Sequence, residues 1–343
     1  MINIAQIGCG YWGPNLLRNF VQSSNCDVKI VADISDERLS YVNRVYPHIK
    51  ITKRYEDILE DNSIDAVVLA TPASSHYEIS EKIIKKEKHV LVEKPLALKT
   101  SEVRNLITLA EKYRRILMVG HTFEYNAAVH ALRDYIKTDE LGKIYYIYSQ
   151  RLNLGKVRDD VNAMWNLALH DISILLYVLD SEPVSVSAKG VSYIQRNIED
   201  VVFITILFEN DIVAHIHVTW LDPNKVRKMT FVGNKKMIVY DDISDYKIRI
   251  FDKGIDKKNI YDSLGEFDDF GKFQLIHRAG DIFIPKIKFE EPLKVECEHF
   301  ISCILNGEKP ISDGYDGLRV VNLLESASKS LDENGKEILI PKI

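Results

Sequence analysis

Over the first third of the chain, short β-branched apolar runs alternate with amphipathic segments. Ile4 to Ile7, Val28 to Ala32, Ala66 to Ala70, His89 to Val92 and Ile116 to Val119 have the length and residue types of buried strands. Between them, Ser35 to Tyr46, His76 to Glu87 and Ser101 to Tyr113 repeat apolar residues at three- and four-residue spacing, with Ser or Thr near their starts, which predicts helices. Strands and helices in strict alternation imply βαβ crossovers and a parallel sheet, so this part reads as a doubly wound α/β domain.

The rhythm changes near Tyr125. A helix is predicted from about Ala127 to Ile136, a strand through Ile144 to Ser149, and then a long helical stretch ending at Leu179. Beyond Pro183 the pattern turns to strands. Phe203 to Phe208 and Ile212 to Val218 flank Asn210-Asp211, and Thr230 to Val232 and Lys236 to Tyr240 flank Gly233-Asn234, two turn dipeptides that predict antiparallel hairpins. Two late helices follow: one opens at Pro292, carries Leu293, Cys297, Phe300, Ile301 and Ile304 on one face and stops at Gly307, and the other runs from about Leu318 to Leu331. The pattern predicts an α+β second domain with its helices on one sheet face. Its other face, with rows such as Ile204, Ile206, Phe208 and Val213, His215, His217, is expected to pair with another copy in a homodimer or homotetramer.

Length agrees with two cores: 343 residues at about 150 per domain give two, with the boundary expected near residue 121, as domains 1–121 and 122–343. A 46% hydrophobic and 28% charged composition excludes disordered and low-complexity classes. A net charge of -5 supplies no general attraction for polyanions, so no nucleic-acid partner is expected. Cys9, Cys26, Cys297 and Cys303 form no C-x-x-C pair and no His pair stands at ligand spacing, so no metal is expected and the thiols read as reduced in a cytoplasm. The start lacks a basic segment ahead of an apolar one, and the longest apolar run, Ile172 to Leu179, is interrupted by Ser173. Neither export nor a membrane partner is expected.

The first chemistry-bearing element is Gly8-Cys9-Gly10-Tyr11-Trp12-Gly13, placed between a predicted strand and a helix opening at about Pro14. Glycines there let the backbone approach a pyrophosphate, whose charge a helix N-terminus favours. Asp33, twenty residues beyond Gly13, ends the second strand, where a carboxylate can accept from ribose hydroxyls and repel a 2′-phosphate; this favours NAD, with NADP as the alternative. An N-cap role for Asp33 is the simpler structural use. Ala70-Thr71-Pro72 and Glu93-Lys94-Pro95 fall at the carboxyl ends of strands, the edge where open parallel sheets bind ligands. Partial desolvation there, and a nearby nicotinamide cation, would bring Lys94 toward a pKa useful for proton transfer; a surface lysine would carry no such role. In the second domain Asn166, His170, Ser173 and Tyr177 would form a polar stripe on one apolar helix. His170 is then either a hydrogen-bonded core histidine or a group that handles a substrate proton, whereas an amide such as Asn166 could only orient.

Together these residues resemble the Gfo/Idh/MocA family, the relatives of glucose-fructose oxidoreductase and inositol dehydrogenase, over nearly the whole chain. The resemblance is carried by the Gly8 to Gly13 loop, Ala70-Thr71-Pro72 with His76, the E-K-P tripeptide Glu93 to Pro95, and a D-x-x-x-H pattern represented by Asn166 to His170. It implies a Rossmann domain followed by an α+β domain with an open mixed, largely antiparallel sheet, a nicotinamide cofactor, and hydride transfer at a sugar or polyol carbon. It also implies cofactor contacts from Gly8, Gly10, Tyr11, Trp12, Gly13, Asp33, Thr71, Pro72, His76, Glu93 and Lys94, substrate contacts from Tyr125, Arg151, Asn166 and His170, and proton handling by Lys94 with His170. Asn166 departs from the family's usual Asp, which should leave His170 less basic and rest the proton chemistry more on Lys94. Arg151-Leu152-Asn153-Leu154-Gly155, Trp165, His170-Asp171 and Trp220-Leu221-Asp222-Pro223 look like a nucleotide-sugar branch whose UDP-N-acetylglucosamine 3-dehydrogenase-like members oxidise the 3-hydroxyl. On that reading Arg151, Lys156, Arg158 and Arg227 are candidates for a diphosphate. A ketosugar reductase using NADPH, and a cofactor-binding sensor or assembly protein without turnover, are the alternatives; the Asn166 replacement keeps the second open.

Overall fold

The computed structural model describes residues 1–155, 157–259 and 273–343. Its first sheet contains strands β1 (Ile2–Ile7), β2 (Cys26–Ala32), β3 (Lys50–Thr52), β4 (Ala66–Leu69), β5 (His89–Val92) and β6 (Leu117–Val119), in the order β3-β2-β1-β4-β5-β6. Every pairing in it is parallel. The order reverses between β1 and β4, and the crevice at the carboxyl ends of these two strands is where such a sheet receives a ligand. Helices α1 (Gly13–Gln22), α2 (Asp36–Val45), α3 (Glu56–Glu60), α4 (His76–Lys85) and α5 (Thr100–Tyr113) provide the crossovers. Ser35 caps α2 by accepting from the Arg38 N–H, so the N-cap role belongs to Ser35 and not to Asp33.

After β6 a 3₁₀ turn, Thr122–Tyr125, leads into α6 (Ala127–Lys137), which is capped by Asn126. The second sheet then begins with β7 (Ile144–Leu154). After the helix α7 (Leu169–Val178) it continues with β8 (Pro183–Val191), β9 (Val201–Phe208), β10 (Val213–Thr219), β11 (Leu221–Gly233), β12 (Met237–Asp241), β13 (Ile248–Asn259) and β14 (Phe273–Phe283). Helices α8 (Pro292–Asn306) and α9 (Gly314–Asp332) precede a short β15 (Ile338–Leu339). The nine strands are ordered β14-β13-β12-β11-β7-β10-β9-β8-β15. Both expected hairpins are present as β9/β10 and β11/β12, and the parallel contact of β10 with β7 makes the sheet mixed.

Three expectations need correction, the third of them on the outward sheet face described below. The strand predicted to stop at Ser149 runs on to Leu154, and helical structure resumes only at Met164. Its inward row is Ile147, Ser149 and Arg151, so two of three core-facing positions are polar and the alternation that marks a half-buried strand is lost. The late helices also divide. Val320, Leu323, Leu324 and Ala327 of α9 pack on the second sheet, whereas Leu293, Cys297, Phe300 and Ile301 of α8 pack with Ile4, Leu16, Leu17 and Phe20 of the first domain. Phe300 meets Phe20 edge to face at 6.3 Å. A late segment of the chain thus closes the core that the first segment began.

The second sheet presents an outward face. Phe203, Thr205 and Leu207 of β9 stand opposite His217, His215 and Val213 of β10, and His215 and Val213 stand opposite Tyr148 and Tyr146 of β7. Phe203 stacks on His217 at 4.3 Å. Ile204, Ile206 and Phe208, expected on that face, instead line the core. Among the described residues no helix is long and apolar enough to cross a membrane.

Candidate functional site

The glycine loop leaves β1 with its geometry dictated by contact. Gly8 holds φ +92, and a Cβ there would overlap the carbonyl oxygen of Ala70, which follows β4. A Cβ on Gly13 would stand 2.6 Å from the Gly8 carbonyl oxygen, whereas one on Gly10 would meet nothing within 4 Å. Two glycines therefore close the turn and the third leaves open space in front of α1, whose N-terminus suits an anion. Asp33 braces the same loop: its Oδ2 accepts from the Cys9 N–H at 2.6 Å and its Oδ1 from the Ser35 N–H at 2.9 Å. A carboxylate offers about four acceptor positions, so capacity remains for ribose hydroxyls. Tyr11 and Trp12 are exposed on the rim.

His76 is not at the cofactor surface. It is 1% exposed, with Nδ1 2.7 Å from the Pro95 carbonyl and Nε2 2.8 Å from the Thr71 carbonyl. Burial lowers its pKa against the pull of these two carbonyls. Its role is to tie the loop after β4 to the loop after β5, which fixes where Thr71, Pro72 and Lys94 stand. The Thr71 hydroxyl in turn accepts from Ser75 at 2.8 Å.

Glu93 and Lys94 follow β5 at the same sheet edge. Burial pushes the Glu93 carboxyl up to about 7, with Lys94 and His121 acting in the opposite sense, and its Oε1 has no hydrogen-bond partner. Burial likewise brings the Lys94 ammonium down to about 8; Glu93 raises it, and Arg158 and Arg151 lower it further. An amine in that range is a proton acceptor near neutral pH, which an exposed lysine is not.

The second domain reaches Lys94 through Asn166, whose backbone carbonyl lies 3.4 Å from the Lys94 Nζ. Asn166 is inside a π-helical turn, Met164–Ala168, and not on the regular helix that the sequence suggested. Its side-chain oxygen accepts from the Trp220 indole at 3.2 Å. His170 lies on α7 with its Nδ1 buried and unpartnered. Burial, followed by Lys94, Arg151, Arg227 and His121, holds its pKa well below the usual imidazole range. The expected polar stripe ends there: Ser173 bonds back to the His170 carbonyl, and Tyr177 packs under Arg133, 4.2 Å from its ring centre.

The candidate substrate cations are already engaged. Arg151 is 3% exposed, and its Nε and Nη2 reach Asp171 at 2.8 and 3.1 Å. Arg158 is paired with Asp160, and Arg227 with Asp242 at 3.3 Å. Lys156 lies outside the described residues. Tyr125 is buried, its hydroxyl 3.0 Å from the Ser312 hydroxyl, so it and Arg151 stand behind the wall of the site and not on its surface.

Sequence reasoning missed His121. It is 1% exposed immediately after β6, with Nδ1 2.6 Å from Asp316 of α9 and 3.3 Å from Glu124. These two acids raise its pKa to about 10 against the opposing effect of burial. His121, Glu124 and Asp316 offer ligand-type atoms within 4.8 Å of one another, a grouping that no spacing in the sequence announces, since Asp316 lies 195 positions from His121.

Comparison with known proteins agrees with this architecture. Residues 2–121 match the model of the oxidoreductase family with an NAD-binding Rossmann fold, and residues 129–239 match the GFO/IDH/MocA C-terminal domain. The chain is 26% identical to UDP-N-acetylglucosamine 3-dehydrogenase of Acidithiobacillus ferrooxidans over 75% of this chain and 76% of that protein. It is 22% identical to myo-inositol 2-dehydrogenase of Thermotoga maritima over 97% of each. The match to the uncharacterized oxidoreductase YrbE of Bacillus subtilis, 24% identical, spans 61% of this chain and 64% of that protein. Among solved structures, the WlbA dehydrogenase from Bordetella pertussis, in complex with NADH and UDP-GlcNAcA, shares the fold with a TM-score of 0.82 at 19% identity, covering 100% of this chain and 98% of that one. With both family models matched in order along its length, the chain belongs to the Gfo/Idh/MocA family of NAD(P)-dependent oxidoreductases.

Proposed function

We propose that this chain oxidises a hydroxyl of a sugar, C3 of a UDP-N-acetylhexosamine or a related nucleotide sugar, with NAD as hydride acceptor. The observation that carries the chemistry is Lys94: a lysine at the carboxyl end of β5, brought to about 8 chiefly by burial and held 3.4 Å from the Asn166 carbonyl of the second domain. The open space before Gly10 and the N-terminus of α1 fit the dinucleotide pyrophosphate, and Asp33 fits its ribose. NAD supplies the hydride acceptor when bound.

The side chains supply the rest. Neutral Lys94 takes the hydroxyl proton as the C–H bond to the same carbon breaks and the C=O bond forms. His170, kept neutral by burial and by the cations around it, accepts a hydrogen bond from the sugar and orients it. Glu93 beside Lys94 stabilises the ammonium formed in that step, whose proton then leaves to solvent before the next turnover. The nucleotide-sugar assignment is supported by the likeness to UDP-N-acetylglucosamine 3-dehydrogenase along three-quarters of the chain.

The test is formation of reduced nicotinamide when the protein is given NAD and UDP-N-acetylglucosamine, UDP-N-acetylglucosaminuronate, the free sugars and myo-inositol. Turnover confined to the polyol would move the substrate outside nucleotide sugars. Oxidation of NADPH by a ketosugar, with no forward reaction, would reverse the assignment of direction. No nicotinamide turnover with any of them would favour a cofactor-binding sensor.

For assembly, we propose that the outward face bearing Tyr146, Tyr148, Phe203, Leu207, Val213 and His217 meets the same face of a second copy. Half-exposed aromatic rings on one sheet face suit an isologous contact. Light scattering should give a dimer or tetramer at micromolar concentration; a monomer there would refute it.

A further inference from the structure

The nitrogen chemistry of His170 leaves its orientation unexplained. Its Nδ1 is buried without a hydrogen-bond partner, and the side-chain oxygen of Asn166, one turn earlier, is committed to Trp220. An imidazole that must meet a substrate needs something to hold its plane.

The neighbour that can do so is Phe123. Its ring lies 5.0 Å from the His170 ring at an interplanar angle of 65°, an edge-to-face arrangement. The guanidinium of Arg151 covers the Phe123 ring at 4.7 Å. Arg151 cannot drift, because its two bonds to Asp171 are made where the residues are 3% and 1% exposed, and Ser149 adds a third bond to the same carboxylate at 3.0 Å. The turn that carries Phe123 is pinned on both sides as well. Thr122 donates to Glu296 of α8 at 2.8 Å, His121 contacts Asp316 of α9 at 2.6 Å, and the Tyr125 and Ser312 hydroxyls meet at 3.0 Å. Phe123 of that turn is in ring contact with α7, while Thr122 and Tyr125 on either side are anchored to α8 and to Ser312.

We propose that Phe123 is a positioning residue for His170: clamped by Arg151 and carried on the turn that leaves the first domain, it holds the imidazole plane of the second domain in place relative to Lys94. The proposal rests on the reading of His170 as the group that orients the sugar hydroxyl. The charged groups that act most strongly on His170, namely Lys94, Arg151, Arg227 and His121, are cations. An uncharged ring is therefore the neighbour that can orient His170 without altering its protonation.

The experiment compares Phe123→Leu and Phe123→Tyr in the full chain labelled with 13C-histidine, the His170 ring resonance being assigned by its loss in His170→Gln. In Phe123→Leu that resonance should shift and broaden without cofactor or sugar present, and kcat on the confirmed substrate should fall about ten- to hundredfold with KM for NAD unchanged. Phe123→Tyr keeps the ring and should restore both. Phe123→Met serves with the same readouts if the leucine variant does not fold. A parent-like, sharp His170 resonance in the leucine or methionine variant would overturn the proposal, as would an equal loss of kcat in Phe123→Tyr. If no sugar is turned over by the parent protein, the functional reading fails on its own, while the resonance still decides whether Phe123 holds His170.

Discussion

The two halves of the candidate cleft are built by different means. The cofactor side is a stretch of six residues, Gly8 to Gly13, whose shape follows from backbone conformation and the absence of side chains, braced by one carboxylate, Asp33. The side proposed to handle the proton is assembled from β5, a π-helical turn, α7 and the turn after β6, and most of its groups are held by a partner distant in the chain. A local backbone code tolerates little at its few positions. An assembled site spreads its precision over many contacts, so single changes there should act on chemistry more than on folding.

Lys94→Ala should produce the largest effect on the assembled side. Turnover should drop by roughly 10² to 10⁴, the range for removal of a positioned acid or base, with the NAD dissociation constant almost unchanged. Retained activity on a confirmed substrate would place the proton chemistry on another group.

On the cofactor side, Gly8→Ala should lower stability by about 2 kcal/mol or more, since it adds a Cβ at positive φ against the Ala70 carbonyl. Gly10→Ala, with nothing within 4 Å of the added Cβ, should leave the melting temperature unchanged and weaken NAD by about tenfold. Thermal melts and NAD titrations of the pair would separate a glycine needed for the turn from one needed by the ligand. Equal behaviour of the two would break the distinction.

The pH dependence sharpens the other half. Lys94 must lose its proton to act as acceptor, so oxidation rates should rise with pH through about 8, and the reverse reaction should lose rate over the same interval. Asn166→Asp would place a carboxylate one turn from His170, favour the imidazolium and raise its pKa, so that the acid limb of the profile moves upward. An unmoved limb would mean that the new carboxylate stays with Trp220 and does not act on His170.

The smallest effect is expected for Asp33→Asn. The amide keeps one acceptor for the Cys9 N–H but loses the negative charge, so the preference for NAD over NADP should narrow by about tenfold, read from the two dissociation constants. An unchanged ratio would put cofactor discrimination elsewhere on the loop.

By itself the sequence determined the first domain and the existence of the second. Glycines at fixed spacing after an apolar strand, the E-K-P tripeptide, and hairpin dipeptides between alternating runs are local signals, and local signals survive without tertiary information. Three matters were decided only by the folded chain. The inward row of β7 is polar because Arg151 is buried against Asp171, so its pattern did not read as strand past Ser149. Helix α8 has an apolar face suited to either domain, and only the packing of Phe300 on Phe20 assigns it to the first. His121, Glu124 and Asp316 show no motif, because their meeting depends on where β6 ends beneath α9. Periodicity states that a residue faces inward; which partner waits there is fixed by topology, and at this site burial, together with the charges gathered around them, shifts the protonation of Lys94 and His170.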